Sequence, residues 1–260
     1  ADNIRRALRY LESQQDNLGR FRIQDNPAWL RDHAIVTAAL CEAHRLEPRR
    51  DIGAALRPGL AQPPPAQRAL DYIAQARNGR AGWGSDRATK TETTVWCVLA
   101  LMTGKLAGLK VDADAFEGAR VWLVRDDAVR TNADAGGALL GRIFLGERSA
   151  KSKGVIQLAE RCLKHLPVWD TEDGSIDMPY WHFGTLGMFQ VGGSRWRKWN
   201  KVMKRTVCIG QFPRGSGSRT GSWDPMGLGG ADRGRVGSTA LMVLTLEVYY
   251  RYERVFKPWN

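Results

Sequence analysis

Histidine, cysteine and one dense run of cations are the residues of this chain whose types first invite chemistry. His33, His44, His165 and His182 are scattered, with no His-Glu-x-x-His and no pair at i, i+4, so a helical zinc-protease site is not encoded. Cys41, Cys97, Cys162 and Cys208 include no Cys-x-x-Cys pair, which excludes zinc-ribbon and thioredoxin spacings. Each lies in an apolar or helical pattern, where free cysteine behaves as a small hydrophobe. No Gly-x-Ser-x-Gly elbow occurs, and Gly215-Ser216-Gly217-Ser218 lacks the Gly-Lys-Ser/Thr that completes a phosphate loop. The cation run is Arg195-Trp196-Arg197-Lys198-Trp199-Asn200-Lys201, followed by Lys204-Arg205. Aromatics between cations suit single-stranded nucleic acid or anionic head groups. Trp196, Trp199 and Met203, however, fall at i, i+3 and i+7, a buried helical stripe that leaves the cations outward. The expectation is a solvated basic face from Arg195 to Arg205 open to an anionic surface, with nucleic acid not the expected partner.

The elements that must position any site are helices. The chain has 260 residues, 39 Lys and Arg against 27 Asp and Glu, and a net charge of +12. A hydrophobic share of 43% is ordinary for a folded chain and excludes a disordered tail. The longest near-apolar stretch, Val236 to Tyr249, is interrupted by Ser238, Thr239, Thr245 and Glu247, too short and too polar to span a bilayer. That implies a soluble chain. No signal peptide opens it, and a start at Ala1 leaves room for one already removed, so an extracytoplasmic location stays open and the compartment undecided.

A repeat organises the chain. LESQQDNLGRF (11–21) precedes the apolar run HAIVTAALCEAHRL (33–46), AQARNGRAGWG (74–84) precedes TTVWCVLALMTGKLAGL (93–109), and CIGQFPRGSGSRTGSWDP (208–225) precedes STALMVLTLEVYYRY (238–252). Each unit is a helix ending in Gln, a glycine-rich turn closing on an aromatic, and a more apolar helix. Two further helix pairs, from Ala115 through Asp134 and from Val155 through Tyr180, lack the clean Gln-turn signature. The only plainly irregular segment is 48–65, with its prolines. In the last unit Val236, Ala240, Val243, Leu244 and Val248 recur at helical spacing, and strict alternation is nowhere sustained. The second helix of each pair is apolar round most of its circumference and the first is amphipathic, as for an inner ring wrapped by an outer one. The expected fold is all-α, an α/α toroid of about five helix pairs forming a single domain over 1–260.

The turns QARNGRAGWG and GSGSRTGSWDP resemble the Gln-Trp repeat of squalene and oxidosqualene cyclases, whose toroid is shared by protein prenyltransferase β subunits and complement-type thioester domains. The chain looks most like the bacterial proteins with prenyltransferase/squalene-oxidase repeats. The resemblance implies that Gln caps a helix end and the aromatic stacks beneath it, pairing Gln75 with Trp83, Gln211 with Trp223, and Gln14 or Gln15 with Phe21.

The chemistry of those families is only partly matched. The prenyltransferase zinc ligands are an Asp, a Cys two residues on and a distant His. Asp177 keeps the first position, but Pro179 stands for the Cys and Ser238 for the His, so no metal or cofactor is expected, and Asp177 reads as a helix N-cap. Class II cyclases protonate an alkene with Asp-x-Asp-Asp in a water-free cavity. The nearest counterparts are Glu92 in Thr91-Glu92-Thr93-Thr94 and Glu172 in Asp170-Thr171-Glu172-Asp173, while Asp112 and Asp114 read as a cap. Cys208-Ile209-Gly210-Gln211 has the thioester i, i+3 spacing without its flanking residues, and Cys208 reads as a buried helical cysteine. Asp32 opens an inner helix as a cap, with His33 turned to the toroid mouth. The inner-helix mouths gather Asp32, His33, Glu92, Trp96, Asp134, Tyr180, Trp181, His182, Arg235 and Ser238, with Trp223 and Asp224 on a turn. The expected function is a non-catalytic module binding a partner protein, a peptide or an apolar, isoprenoid-like ligand in that bowl. The alternative is a divergent isoprenoid-processing enzyme with Glu92 or Glu172 as its acid.

Overall fold

The computed structural model describes residues 2–21, 26–46, 63–79, 81–84, 88–147, 152–172, 175–228 and 230–250. Among them are ten α-helices: α1 (Asp2–Ser13), α2 (Trp29–Leu46), α3 (Pro65–Gln75), α4 (Thr91–Leu106), α5 (Ala113–Leu123), α6 (Asn132–Phe144), α7 (Lys153–Lys164), α8 (Met178–Val191), α9 (Gly193–Gly210) and α10 (Gly230–Leu246). No strand occurs among the described residues, only isolated bridges, so the fold is all-α as the periodicity requires. Most of the proline-rich segment 48–65, and Asp173, lie outside the described residues.

Local sequence sets most of the helix starts. Thr131 and Asp134 form a reciprocal capping box at α6, Ser152 accepts from the Val155 N–H at α7, and Asp177 accepts from the Tyr180 N–H at α8. Asp112 accepts from the Asp114 N–H ahead of α5, and Pro65 occupies the first turn of α3, where its missing N–H costs nothing. Gly234, with φ of 61°, kinks α10 after its first turn. Ser238 therefore follows a break in the helical ladder, and its buried Oγ finds no hydrogen-bond partner.

The chain divides into two compact units, Ala1–Leu123 and Val124–Asn260. In the first, α2 and α4 pack most extensively on each other, α3 contacts both, α1 lies on α2 and α5 on α4. In the second, α6 and α8 form the main pair, α10 lies on α8, α7 touches α6 and α8, and α9 touches α7 and α8. Within each unit, then, even-numbered helices meet side by side and odd-numbered ones cover them. This explains the difference in amphipathicity: Thr93–Leu101 of α4 and Met178–Met188 of α8 are continuously buried, as helices apolar all round must be. Glycine allows the α6–α8 approach. A Cβ on Gly136 would sit 3.0 Å from the Gly184 backbone nitrogen, and one on Gly187 would sit 2.9 Å from the Leu139 side chain.

Two glycine-rich turns are built alike. The Trp83 indole donates to the Ile73 carbonyl at 2.7 Å and that of Trp223 to the Val207 carbonyl at 2.7 Å, each in the last turn of the preceding helix. Their backbone N–H groups donate to Thr94 at 3.0 Å and to Thr239 at 3.2 Å on the following helix. Gln15 bridges to Phe21 and Gln211 to Trp223, each donating its amide to a glycine carbonyl of its own turn. Gln75 departs from the expected pairing. It is still inside α3 and exposed, whereas Gln15 and Gln211 follow their helices, and the turn closes through the Asn78 N–H on the Gly82 carbonyl. Both indole rings are fully buried. Trp223→Ala is expected to cost ~3–5 kcal/mol, lowering the urea midpoint accordingly, because it removes a large core side chain and orphans the Val207 carbonyl.

Candidate functional site

In the first unit the candidate residues meet around an arginine that sequence spacing did not single out. Arg31, only 8% exposed, sits in the first turn of α2. Its Nε donates to Asp32 Oδ1 at 2.8 Å, and its guanidinium lies 3.9 Å from Glu92 Oε1 in the first turn of α4. Asn26 donates to the other Asp32 oxygen at 2.5 Å. Both carboxylates are about a third exposed or less and stand in first turns, where the helix dipole favours negative charge. Asp32 is not the cap: α2 begins at Trp29, and Asn26 holds the start by accepting from the Ala28 N–H at 2.8 Å. Trp96 lies one turn beyond Glu92 and is nearly buried. The Arg31–Glu92 pair joins residues sixty-one positions apart, so only the folded helix pair reveals it.

His33 does not face an open mouth. It is fully buried between Phe21 and Tyr72, with ring centroids at 5.1 and 5.0 Å, and its Nε2 contacts the Ala69 carbonyl of α3 at 3.2 Å. Burial, the largest cause, pushes its pKa down to about 4, against a smaller upward effect of the Ala69 carbonyl. His33 is therefore a neutral core residue at neutral pH.

In the second unit the candidates separate. Asp134 spends its carboxylate on the capping box, accepting from the Thr131 N–H and hydroxyl at 2.9 Å each. Tyr180 is buried, and its hydroxyl donates toward the Cys162 carbonyl at 3.1 Å and the His165 carbonyl at 2.8 Å at the end of α7. Trp181 is buried with its ring 5.9 Å from Trp169. His182 is buried too, its Nδ1 3.0 Å from the Thr245 hydroxyl. That hydroxyl donates to the Leu241 carbonyl at 2.7 Å, so His182 carries its proton on Nδ1. Trp223 belongs to the turn described above. Arg235 pairs with Asp224 at 2.6 Å and lies 5.3 Å from the Phe212 ring centroid. Glu172 is exposed, its N–H donating to Asp170 at 2.9 Å.

The other sequence readings are resolved in the same way. Asp177 caps α8, as its position before the apolar run implies. Cys208, expected to be buried, is exposed near the end of α9, and Gln211 is committed to its turn. Burial pushes the Cys41 and Cys162 thiols up to about 12 and that of Cys97 well above its ordinary value. Among the described residues no three His, Cys, Asp or Glu side chains gather closely enough to hold a metal ion, and no helix is long and apolar enough to cross a membrane.

The buried neutral His33 has a titration consequence. Its folded pKa is depressed below the unfolded value near 6.5, so the unfolded chain binds the proton first as pH falls. Stability from this residue is full above about pH 6.5 and is lost progressively down to about pH 4, by roughly 3 kcal/mol. Urea unfolding between those pH values should show that slope, and His33→Gln should flatten it. Compared with protein-family models, with curated proteins and with solved structures, the chain matches none of them.

Proposed function

We propose that the chain is a non-catalytic module of the terpenoid-cyclase-like α/α toroid type that binds a partner protein, a peptide or an apolar ligand at the mouths of its inner helices. One observation carries this reading: the carboxylate of Glu92, the residue that a cyclase-type reaction would need as its acid, stands partly exposed with the Arg31 guanidinium 3.9 Å away. Glu92 is about a third exposed, whereas proton donation to an alkene needs an acid enclosed away from water. Glu172, the other candidate acid, is exposed to water, where a strong acid is levelled rather than concentrated on a substrate. Of the other polar candidates, Asp134 and Asp177 serve as caps, His33 lies in the core and His182 bonds Thr245.

Support for the toroid itself is the pairing of even-numbered helices within each unit and the recurrence of the tryptophan-closed turn in both. Glu92 and Trp96, one turn apart on α4, are the residues we assign to ligand contact in the first unit, and Arg235 with Phe212 in the second.

Incubation of the protein with squalene, farnesyl diphosphate or geranylgeranyl diphosphate should return the substrate unchanged, at the level of a heat-killed control. Binding of farnesol, followed by tryptophan fluorescence, should weaken in Trp96→Phe. A cyclised product that forms with the wild-type chain and disappears in Glu92→Gln would replace the binding reading with catalysis.

A further inference from the structure

The segment that contains α9 carries most of the chain's net charge. Residues 193–235 hold ten Lys and Arg against two Asp, so eight of the net twelve positive charges sit there. Six of the ten cations are on α9, which has no acidic residue. Arg195 is neutralised by Glu160 of α7 at 2.7 Å. Arg197, Lys198, Lys201, Lys204 and Arg205 are all exposed. Arg197, Lys201, Lys204, Arg205 and Cys208 follow one another at i, i+4, i+7, i+8 and i+11, a single helical face. Ile209, one turn past Arg205 and 60% exposed, closes the C-terminal end of that face.

The opposite face of α9 decides what such a surface can bind. Trp199, Met203, Thr206 and Val207 are buried. The Trp199 indole donates to Thr185 at 3.0 Å, and the Thr206 hydroxyl to the Pro167 carbonyl at 2.9 Å. Trp196 is half-buried between Phe189 at 5.2 Å and Tyr249 at 6.0 Å. Neither ring lies on the cationic face, and the Tyr249 ring 5.9 Å from Lys204 Nζ is half-buried, so among the described residues α9 presents no open platform for the base stacking that holds single-stranded nucleic acid. α9 is also fastened to α7 and α8, whereas a helix that reads a duplex must enter the major groove. What remains is a flat row of cations about 12 Å long from Arg197 to Arg205 with an apolar residue at one end. Its charge is complementary to an anionic lipid surface, and Ile209 is placed to reach between head groups.

We propose that the outer face of α9 docks this protein onto bilayers that contain anionic phospholipid, through Arg197, Lys198, Lys201, Lys204 and Arg205. The interaction is electrostatic, weakens with salt, and is independent of any ligand taken up by the inner helices. Each cation near such a surface strengthens binding about fivefold.

The test is sedimentation of the full chain with vesicles of phosphatidylcholine alone and of phosphatidylcholine with about one-third phosphatidylserine, at low and high salt. Binding is expected only to the anionic vesicles and only at low salt. The triple variant Arg197→Gln, Lys201→Gln, Arg205→Gln should bind about a hundredfold more weakly, with an unchanged melting temperature because all three side chains are exposed. Equal binding to both vesicle types, no binding to either, or full binding by the triple variant would overturn the proposal. Displacement of the protein from the vesicles by a duplex oligonucleotide at equal phosphate concentration would instead assign the face to nucleic acid.

Discussion

An indole N–H that reaches back to a carbonyl in the last turn of one helix, while its own backbone N–H is held by a threonine on the next, fixes three elements at a single residue. Trp83 does this between Ile73 and Thr94, and Trp223 between Val207 and Thr239. The last carbonyls of a helix have no partner within it, and in a buried position an unpaired carbonyl is costly. The ring therefore satisfies a group that water cannot reach, and its large apolar body fills the corner between the helices. Where no tryptophan closes the turn, other donors take the task. The Tyr180 hydroxyl serves the end of α7, and Arg161 donates to the carbonyls of Val129, Arg130 and Thr131 ahead of α6. Phe21 has no polar hydrogen on its ring, and at that turn Gln15 supplies the connection instead, donating to the Pro65 carbonyl at 2.9 Å and accepting from Arg68 at 2.7 Å.

Much of this is legible in the sequence. The helical spacing in each apolar run, the glycines and aromatics of the turns, and the cap at Asp177 are local signals, and local signals survive in sequence. Gln75 was misleading because its residue type matched the turn pattern while helix α3 extended far enough to include it. Cys208 is exposed against expectation because a cysteine two positions from a helix end takes whichever face the last turn offers. Arg31 was invisible for a different reason. Its partner Glu92 is on another helix, and one cation among 39 carries no mark of burial. His33 could be placed on α2 but not on a side of it, since only the arrival of α3 decides whether that ring meets water or Tyr72.

The interior is more polar than its composition suggests, and each unit accommodates this in the same way. Thr94, Thr185 and Thr245 are fully buried, and each bonds an aromatic residue or a histidine, from neighbouring elements: Trp83, Trp199 and His182. A threonine in a helix can return its own proton to the carbonyl four residues back, as Thr245 does to Leu241, and then offer an oxygen to a donor from outside. This ties aromatic residues to specific helix positions, through the backbone at Trp83 and through the ring at Trp199 and His182, so that the packing has one preferred register as well as sufficient apolar area.

The cysteines acquire very different fates from this packing. Thiols react as thiolates, and those of Cys41, Cys97 and Cys162 are both enclosed and held protonated by burial, which makes them inert toward electrophiles while the fold persists. Cys208 alone is exposed. A maleimide dye added to the native protein would therefore attach at one place, at the C-terminal end of the cationic face of α9, and report what approaches that face without any engineered substitution.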